Sequence, residues 1–383
     1  MDCHRTSLFV KQLFQEDQVL LHRPVFNGNE KNYLIDCIDS NFVSSVGARV
    51  IEFEQQIAAF TGAKYAIATV NGTAALHIAM QLAGVRPETE VITQALTFIA
   101  TCNAIAYTGA RPIFVDVDRE TLGMSPDALK NFLHNTAEMR GGVAVNKVSG
   151  KRFAACVPMH TFGHPCRIDA IVAICAEYGI PVVEDAAESL GSWYQGRHTG
   201  TFGRFGTFSF NGNKIITTGG GGMIVTDDPE LAAMAKHITT TAKIPHPFEY
   251  VHDMTGYNYR LPNLNAALGC AQMEQLDGFL EKKRELSEKY LEFFAAEGMH
   301  FVKEPANCRS NYWLNALVLD SLAQRNEFLE YTNGQGVMTR PIWRLMTKLE
   351  MYKDCQHDGL ENSLWLEDRV VNIPSSVPNP QEV

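Results

Sequence analysis

Phe208-Ser209-Phe210-Asn211-Gly212-Asn213-Lys214-Ile215-Ile216-Thr217-Thr218, with four glycines at 219–222 directly behind it, is the stretch that decides how this chain reads. A hydrophobic run ends, one lysine follows among small and polar residues, and a glycine cluster closes the segment. Most lysines are exposed, and taken alone Lys214 would be a solvated turn residue. Its surroundings point elsewhere. A lysine withdrawn from water can give up its proton and attack a carbonyl, forming a Schiff base. Residues 203–210 and 222–226 read as strands flanking the Lys214 loop.

Working outward, residues 65–70, 90–94, 112–115, 153–158 and 181–184 read as short buried strands, and helical stretches such as 74–83 and 168–178 separate them. Strands alternating with helices imply a mostly parallel sheet covered on both faces. Ligands of such sheets sit at the carboxyl ends of the strands. Two more polar motifs fall there. Asp185 ends the run Val183-Glu184-Asp185, where it can either cap a helix or hold a protonated ring nitrogen. Pyridoxal phosphate needs that second contact. Asn71-Gly72-Thr73 opens a helix after a strand, where backbone N–H groups and a hydroxyl can cradle a phosphate. Ser209 can reach the same phosphate. Residues 262–294 form a long helical stretch with a bend expected near Gly278. A strand at 313–319, a helix at 322–332 and a strand at 369–373 make a smaller α/β unit. The expected division is an N-terminal extension at 1–25, a large cofactor-binding domain at 26–260, and a linking helix with small domain at 261–383.

Bulk properties narrow the function. A net charge of −10 argues against broad binding to nucleic acid or to anionic membranes. Nine cysteines, scattered and without a C-x-x-C pair, suit a reducing cytoplasm. Residues 1–22 lack the apolar core of a secretory signal, and no segment has the apolar length of a membrane span. His160 and His164 stand four apart, but Gly163 and Pro165 deny them the helical spacing of a zinc pair, so no metal is expected. His160 is read instead as a loop residue lining the cofactor pocket. Trp313 is read as packing.

Several stretches together resemble one family. They are 42–47 (Phe-Val-Ser-Ser-Val-Gly), 71–77, 96–101, 159–165, 184–189, 208–214 and 256–260. With them the chain, over about 24–376, is similar to the DegT/DnrJ/EryC1/StrS sugar aminotransferases, pyridoxal-phosphate enzymes of fold type I that act on nucleotide-linked keto sugars. That fold, the aspartate-aminotransferase type, has a large domain built on a mostly parallel seven-stranded sheet. The run Asn211–Thr218 and Arg340-Pro341-Ile342-Trp343 look closest to the subgroup serving bacillosamine and legionaminic acid synthesis.

The resemblance implies roles. Lys214 would bind the cofactor covalently and move protons. Asp185 would pair with the ring nitrogen, Phe98 would stack on the ring, and Gly72, Thr73 and Ser209 would hold the phosphate. Glu188 stands where many relatives have glutamine, facing the ring hydroxyl. Asn258 would reach into the neighbouring subunit, which implies a homodimer. Arg340 and His160 would lie near the sugar nucleotide. Thr347 stands about where relatives often have histidine. The implied reaction moves an amino group, from glutamate, to C4 of a UDP-linked 4-keto-6-deoxy-N-acetylhexosamine. Alternatives are a 3-keto sugar, a dTDP- or GDP-linked sugar, or a non-catalytic member of the family. A dehydrase on the same scaffold would carry histidine in place of Lys214.

Overall fold

The computed structural model describes residues 2–378; Met1 and residues 379–383, the end of the expected C-terminal unit, lie outside the described residues. Seven strands build the central sheet: β1 (Tyr65–Thr69), β2 (Glu90–Gln94), β3 (Arg111–Val115), β4 (Phe153–Val157), β5 (Val183–Asp185), β6 (Phe205–Ser209) and β7 (Gly222–Thr226). Ladders give the runs β3-β2-β4 and β1-β7-β6-β5. Parallel bridges Cys156↔Val182 and Met159↔Asp185 join β4 to β5, so the order is β3-β2-β4-β5-β6-β7-β1. All neighbours are parallel except at β7, which runs against both β6 and β1. β2 and β4 are buried along their whole length, as expected of parallel strands covered on both faces.

The reversal at β7 has a simple cause. Parallel neighbours need a crossover of a dozen or more residues, usually through a helix, whereas antiparallel ones close through a shorter connection. Between β6 and β7 the chain has no helix, only the loop 210–221. Both ends of that loop therefore stay at one edge of the sheet. Lys214 is held beside the carboxyl end of β5, where Asp185 lies.

Helix Gly72–Leu82 follows β1 and is buried over most of its length. Asn71 caps it, its Oδ1 accepting from Ala74 N at 2.8 Å. The core around this helix contains Ile67, Val91, Ala155, Val183, Phe205 and Ile224, so the helix lies across the sheet with its N-terminus at the carboxyl ends of the strands.

The bend expected near Gly278 falls a few residues earlier, at 274–275. Helices Asn263–Met273 and Leu276–Ala296 are separate, and Gly278 lies inside the second. Gln272 and Gln275 both donate through Nε2 to Glu30 Oε1 at 2.7 Å, which fixes the junction to the N-terminal part of the chain. A tertiary contact, not glycine, lies at the break.

Beyond it, β8 (His300–Phe301), β9 (Asn315–Val318), β10 (Arg340–Pro341) and β11 (Val370–Ile373) form an antiparallel sheet in the order β8-β9-β11-β10. Residues 1–25, read as an extension, contribute a helix to this end of the molecule. Cys3–Phe14, capped by Asp2, puts Cys3, Val10 and Phe14 against Tyr290, Phe294, Leu317 and Phe328. A hairpin at Ala137–Arg140 and Val143–Asn146 was not foreseen. Its turn, Gly141-Gly142, has positive φ at both residues, a two-glycine hairpin signal visible in the sequence. No helix among the described residues is long and apolar enough to cross a membrane.

Candidate active site

A cavity of about 570 Å³ opens where the β6–β7 loop, the start of helix Gly72–Leu82 and the C-terminal sheet meet. Gly72, Thr73, Phe98, Asp185, Glu188, Ser209, Lys214 and Arg340 line it, so eight residues singled out from sequence come together.

Lys214 reaches the cavity with its side chain 12% exposed. Its Nζ lies 3.4 Å from Glu188 Oε1 and 3.8 Å from the centroid of the Trp313 ring. Asp185 is buried; Thr101 Oγ1 donates to its Oδ2 at 2.6 Å and Ala187 N to its Oδ1 at 3.2 Å. Burial raises the Asp185 carboxyl above its ordinary range despite those donors and the nearby Lys214. Glu188 is likewise buried. Its Oε2 accepts from Phe162 N at 2.9 Å. Loss of solvent pushes its carboxyl up to about 7, with Lys214 and the Phe162 N–H only partly offsetting burial.

At the other end of the cavity floor, a Cβ built on Gly72 would come 2.8 Å from Ser209 Cβ. Only glycine lets the helix N-terminus come so close to the hydroxyl. First-turn N–H groups of a helix have no partner within it and carry partial positive charge. A phosphate fits there, an acid that can face a ring nitrogen stands at Asp185, and an amine stands at Lys214. This donor set matches pyridoxal phosphate.

Residues 25–381 match the model of the DegT/DnrJ/EryC1/StrS aminotransferase family. The chain belongs to this family. It is a pyridoxal-phosphate-dependent sugar aminotransferase of fold type I. EpsN of Bacillus subtilis (strain 168) is 39% identical over 328 residues, 85% of this chain and 82% of its own. A GDP-perosamine synthase of Escherichia coli O157:H7 is 36% identical over 367 residues, 95% of each chain. The crystal structure of the aminotransferase TlmJ from Streptoalloteichus hindustanus superposes with a TM-score of 0.84 at 26% identity, covering 94% of this chain and 93% of that one.

Two of the sequence-derived residues do not line the cavity of this aminotransferase chain. His160 is fully buried behind it, a correction to the pocket-lining role. Its Nδ1 accepts from Cys166 N at 3.2 Å, so the ring proton sits on Nε2, which donates to Glu184 Oε2 at 2.9 Å. Glu184 precedes Asp185 and, by strand alternation, faces the opposite side. It also accepts from Gly200 N, Phe202 N and Gly203 N at 2.6–2.7 Å. His160 thus braces a loop behind the sheet. Asn258 is exposed, in a bridge with Thr240, outside the cavity of its own chain.

Three residues at the site were not assigned to it from the sequence: Trp313 and Arg344 line the cavity, and Thr101 lies behind it. Trp313 packs in the core as expected and also faces the site: its ring lies against the Lys214 amine, and its Nε1 donates to Asn213 O at 2.7 Å. Arg344 lines the cavity with Arg340 and Trp343. Thr101 holds Asp185 from the next helix. Arg340 and Arg344 stand four positions apart, which was a usable signal; nothing local in the sequence marks Trp313 or Thr101.

Proposed function

We propose that this aminotransferase transfers the amino group of glutamate to C4 of a UDP-linked 4-keto-6-deoxy-N-acetylhexosamine. The observation that carries a nucleotide-linked substrate is the presence of both Arg340 and Arg344 in the lining of the cavity that holds Lys214. Two guanidiniums suit a diphosphate, and they stand out in a chain whose net charge is −10. The UDP-linked sugar follows from the likeness of 211–218 and 340–343 to the bacillosamine and legionaminic acid subgroup. A GDP-linked sugar is the second reading, favoured by the 36% identity to a GDP-perosamine synthase along 95% of both chains.

When bound, pyridoxal phosphate supplies an electron sink that stabilises negative charge on the amino-bearing carbon. The chain does the rest. Gly72, Thr73 and Ser209 would hold the phosphate, and Phe98 would stack on the ring. Asp185, fixed by Thr101, keeps a proton at the ring nitrogen. Lys214 would be the amine that holds the cofactor and, once free, the base that moves the proton at the substrate carbon. Glu188, whose carboxyl burial pushes up to about 7, would offer the ring hydroxyl a hydrogen bond in its protonated form. Asn258 serves the cavity of a second copy in a homodimer, in keeping with its exposed position. The nine unpaired cysteines suit a cytoplasmic location.

The deciding experiment loads the protein with pyridoxamine phosphate and adds UDP-, GDP- and dTDP-linked 4-keto sugars one at a time. Return of the cofactor's visible absorbance with the UDP-linked N-acetyl sugar alone supports the reading. Return only with the GDP-linked sugar replaces it with the second.

A further inference from the structure

Trp313 has two anchors and one free face. Its indole Nε1 donates to Asn213 O at 2.7 Å, which ties the ring to the residue before Lys214. Its backbone carbonyl accepts from Lys283 Nζ at 3.2 Å. Lys283 is fully buried on helix Leu276–Ala296 and also donates to His22 Nε2 at 3.0 Å and to Ser375 O. The indole is thus tied to the Lys214 loop, and the Trp313 backbone is held by Lys283, which His22 and Ser375 hold in turn. The face it presents lies 3.8 Å from Lys214 Nζ. Tryptophan is the strongest of the aromatic rings for a cation, and the attraction grows as water is removed.

We propose that Trp313 is a positioning residue for Lys214: with Glu188 it forms the seat on which the lysine rests as an ammonium whenever its amine is not bonded to the cofactor. This rests on Lys214 being the cofactor-binding amine, as proposed above. The seat has a chemical consequence. An amine freed when the amino donor takes its place needs to stay within reach of the cofactor carbon, and a held cation cannot wander. It also has to lose a proton before it bonds again, and a ring face that attracts the cation opposes that loss. The titratable and charged groups near Nζ are Glu188 at 3.4 Å, Asp185, Arg340 and Arg344 in the cavity lining, and, on the far side of Trp313, Lys283 and His22, the latter kept neutral by burial.

The test is covalent loading of the full chain, stripped of cofactor, with pyridoxal phosphate. In that step neutral Nζ attacks the aldehyde carbon, a carbon–nitrogen double bond forms, and water leaves with the aldehyde oxygen and both amine hydrogens. Its rate is followed by visible absorbance against pH, and the bond is confirmed by mass after borohydride reduction. Removing the π face in Trp313→Leu frees the proton more readily. The midpoint of the rate profile falls by about 0.7–1.5 pH units, a roughly five- to thirtyfold shift in the proton equilibrium. Trp313→Phe keeps a weaker face and shows a smaller fall. A wall residue without this role lowers the rate evenly and leaves the midpoint in place. An unmoved or raised midpoint in Trp313→Leu overturns the proposal; if that variant does not fold, the same outcome in Trp313→Phe does. Lys214→Ala, treated in parallel, separates the two readings, because covalent loading that survives there removes Lys214 itself from the role.

Discussion

Glu188→Gln stabilises the cofactor-free chain at pH 8 and leaves it nearly unchanged at pH 5. Glu188 is buried beside Lys214, and burial lifts its carboxyl from 4.5 to about 7. An acid whose folded value is raised binds more protons folded than unfolded between those two values. Its contribution is complete below 4.5 and is lost as pH rises through 7. The gap of 2.5 pH units corresponds to about 3 kcal/mol at full extent. Glutamine keeps an acceptor for the Phe162 N–H and has no charge to bury, so the loss disappears. The assay is urea unfolding of both chains, cofactor-free, at pH 5, 6, 7 and 8. The advantage of the variant opens across this range and flattens above pH 7. Taking the difference between the two chains cancels every other titrating group they share. An advantage as large at pH 5 as at pH 8 refutes the reasoning, because it would mean that the ammonium of Lys214 already compensates the buried carboxylate.

Lys214→Ala abolishes transamination, by at least about a thousandfold, while far-ultraviolet circular dichroism stays unchanged. Gly72→Ala drives a methyl group to 2.8 Å from Ser209 Cβ and weakens cofactor binding by roughly tenfold or more, read by absorbance titration. Lys283, whose burial lowers its ammonium from 10.5 to about 7, contributes stability present above 10.5 and lost as pH falls through 7; Lys283→Met removes that rise from the unfolding curve between pH 7 and 10. Arg340→Ala raises KM for the sugar nucleotide by about tenfold with little change in kcat, and added salt narrows the difference between the two enzymes.

Much of this protein was legible in one dimension. The strand at Glu90–Gln94 and the strand at Gly222–Thr226 carry their burial in their own composition, and both emerged with the expected bounds. Gly72, Asp185, Ser209 and Lys214 stood out because each chemistry needs that residue type at a strand end, and strand ends can be read from local pattern. The rest depended on contacts between segments far apart in sequence. The linking helix breaks at 274–275 rather than at Gly278, and Gln275 there bonds to Glu30, 245 residues away. His160 looked like a pocket residue in a motif, yet its ring turns to Glu184 behind the sheet, and only the fold tells the two sides of a loop apart. Trp313 lies 100 residues from the asparagine that anchors its indole. Local chemistry named the amine, the acid and the phosphate cradle. What surrounds the amine, and how readily a charge survives there, was decided by packing, because desolvation and the direction of a ring face have no signature along the chain.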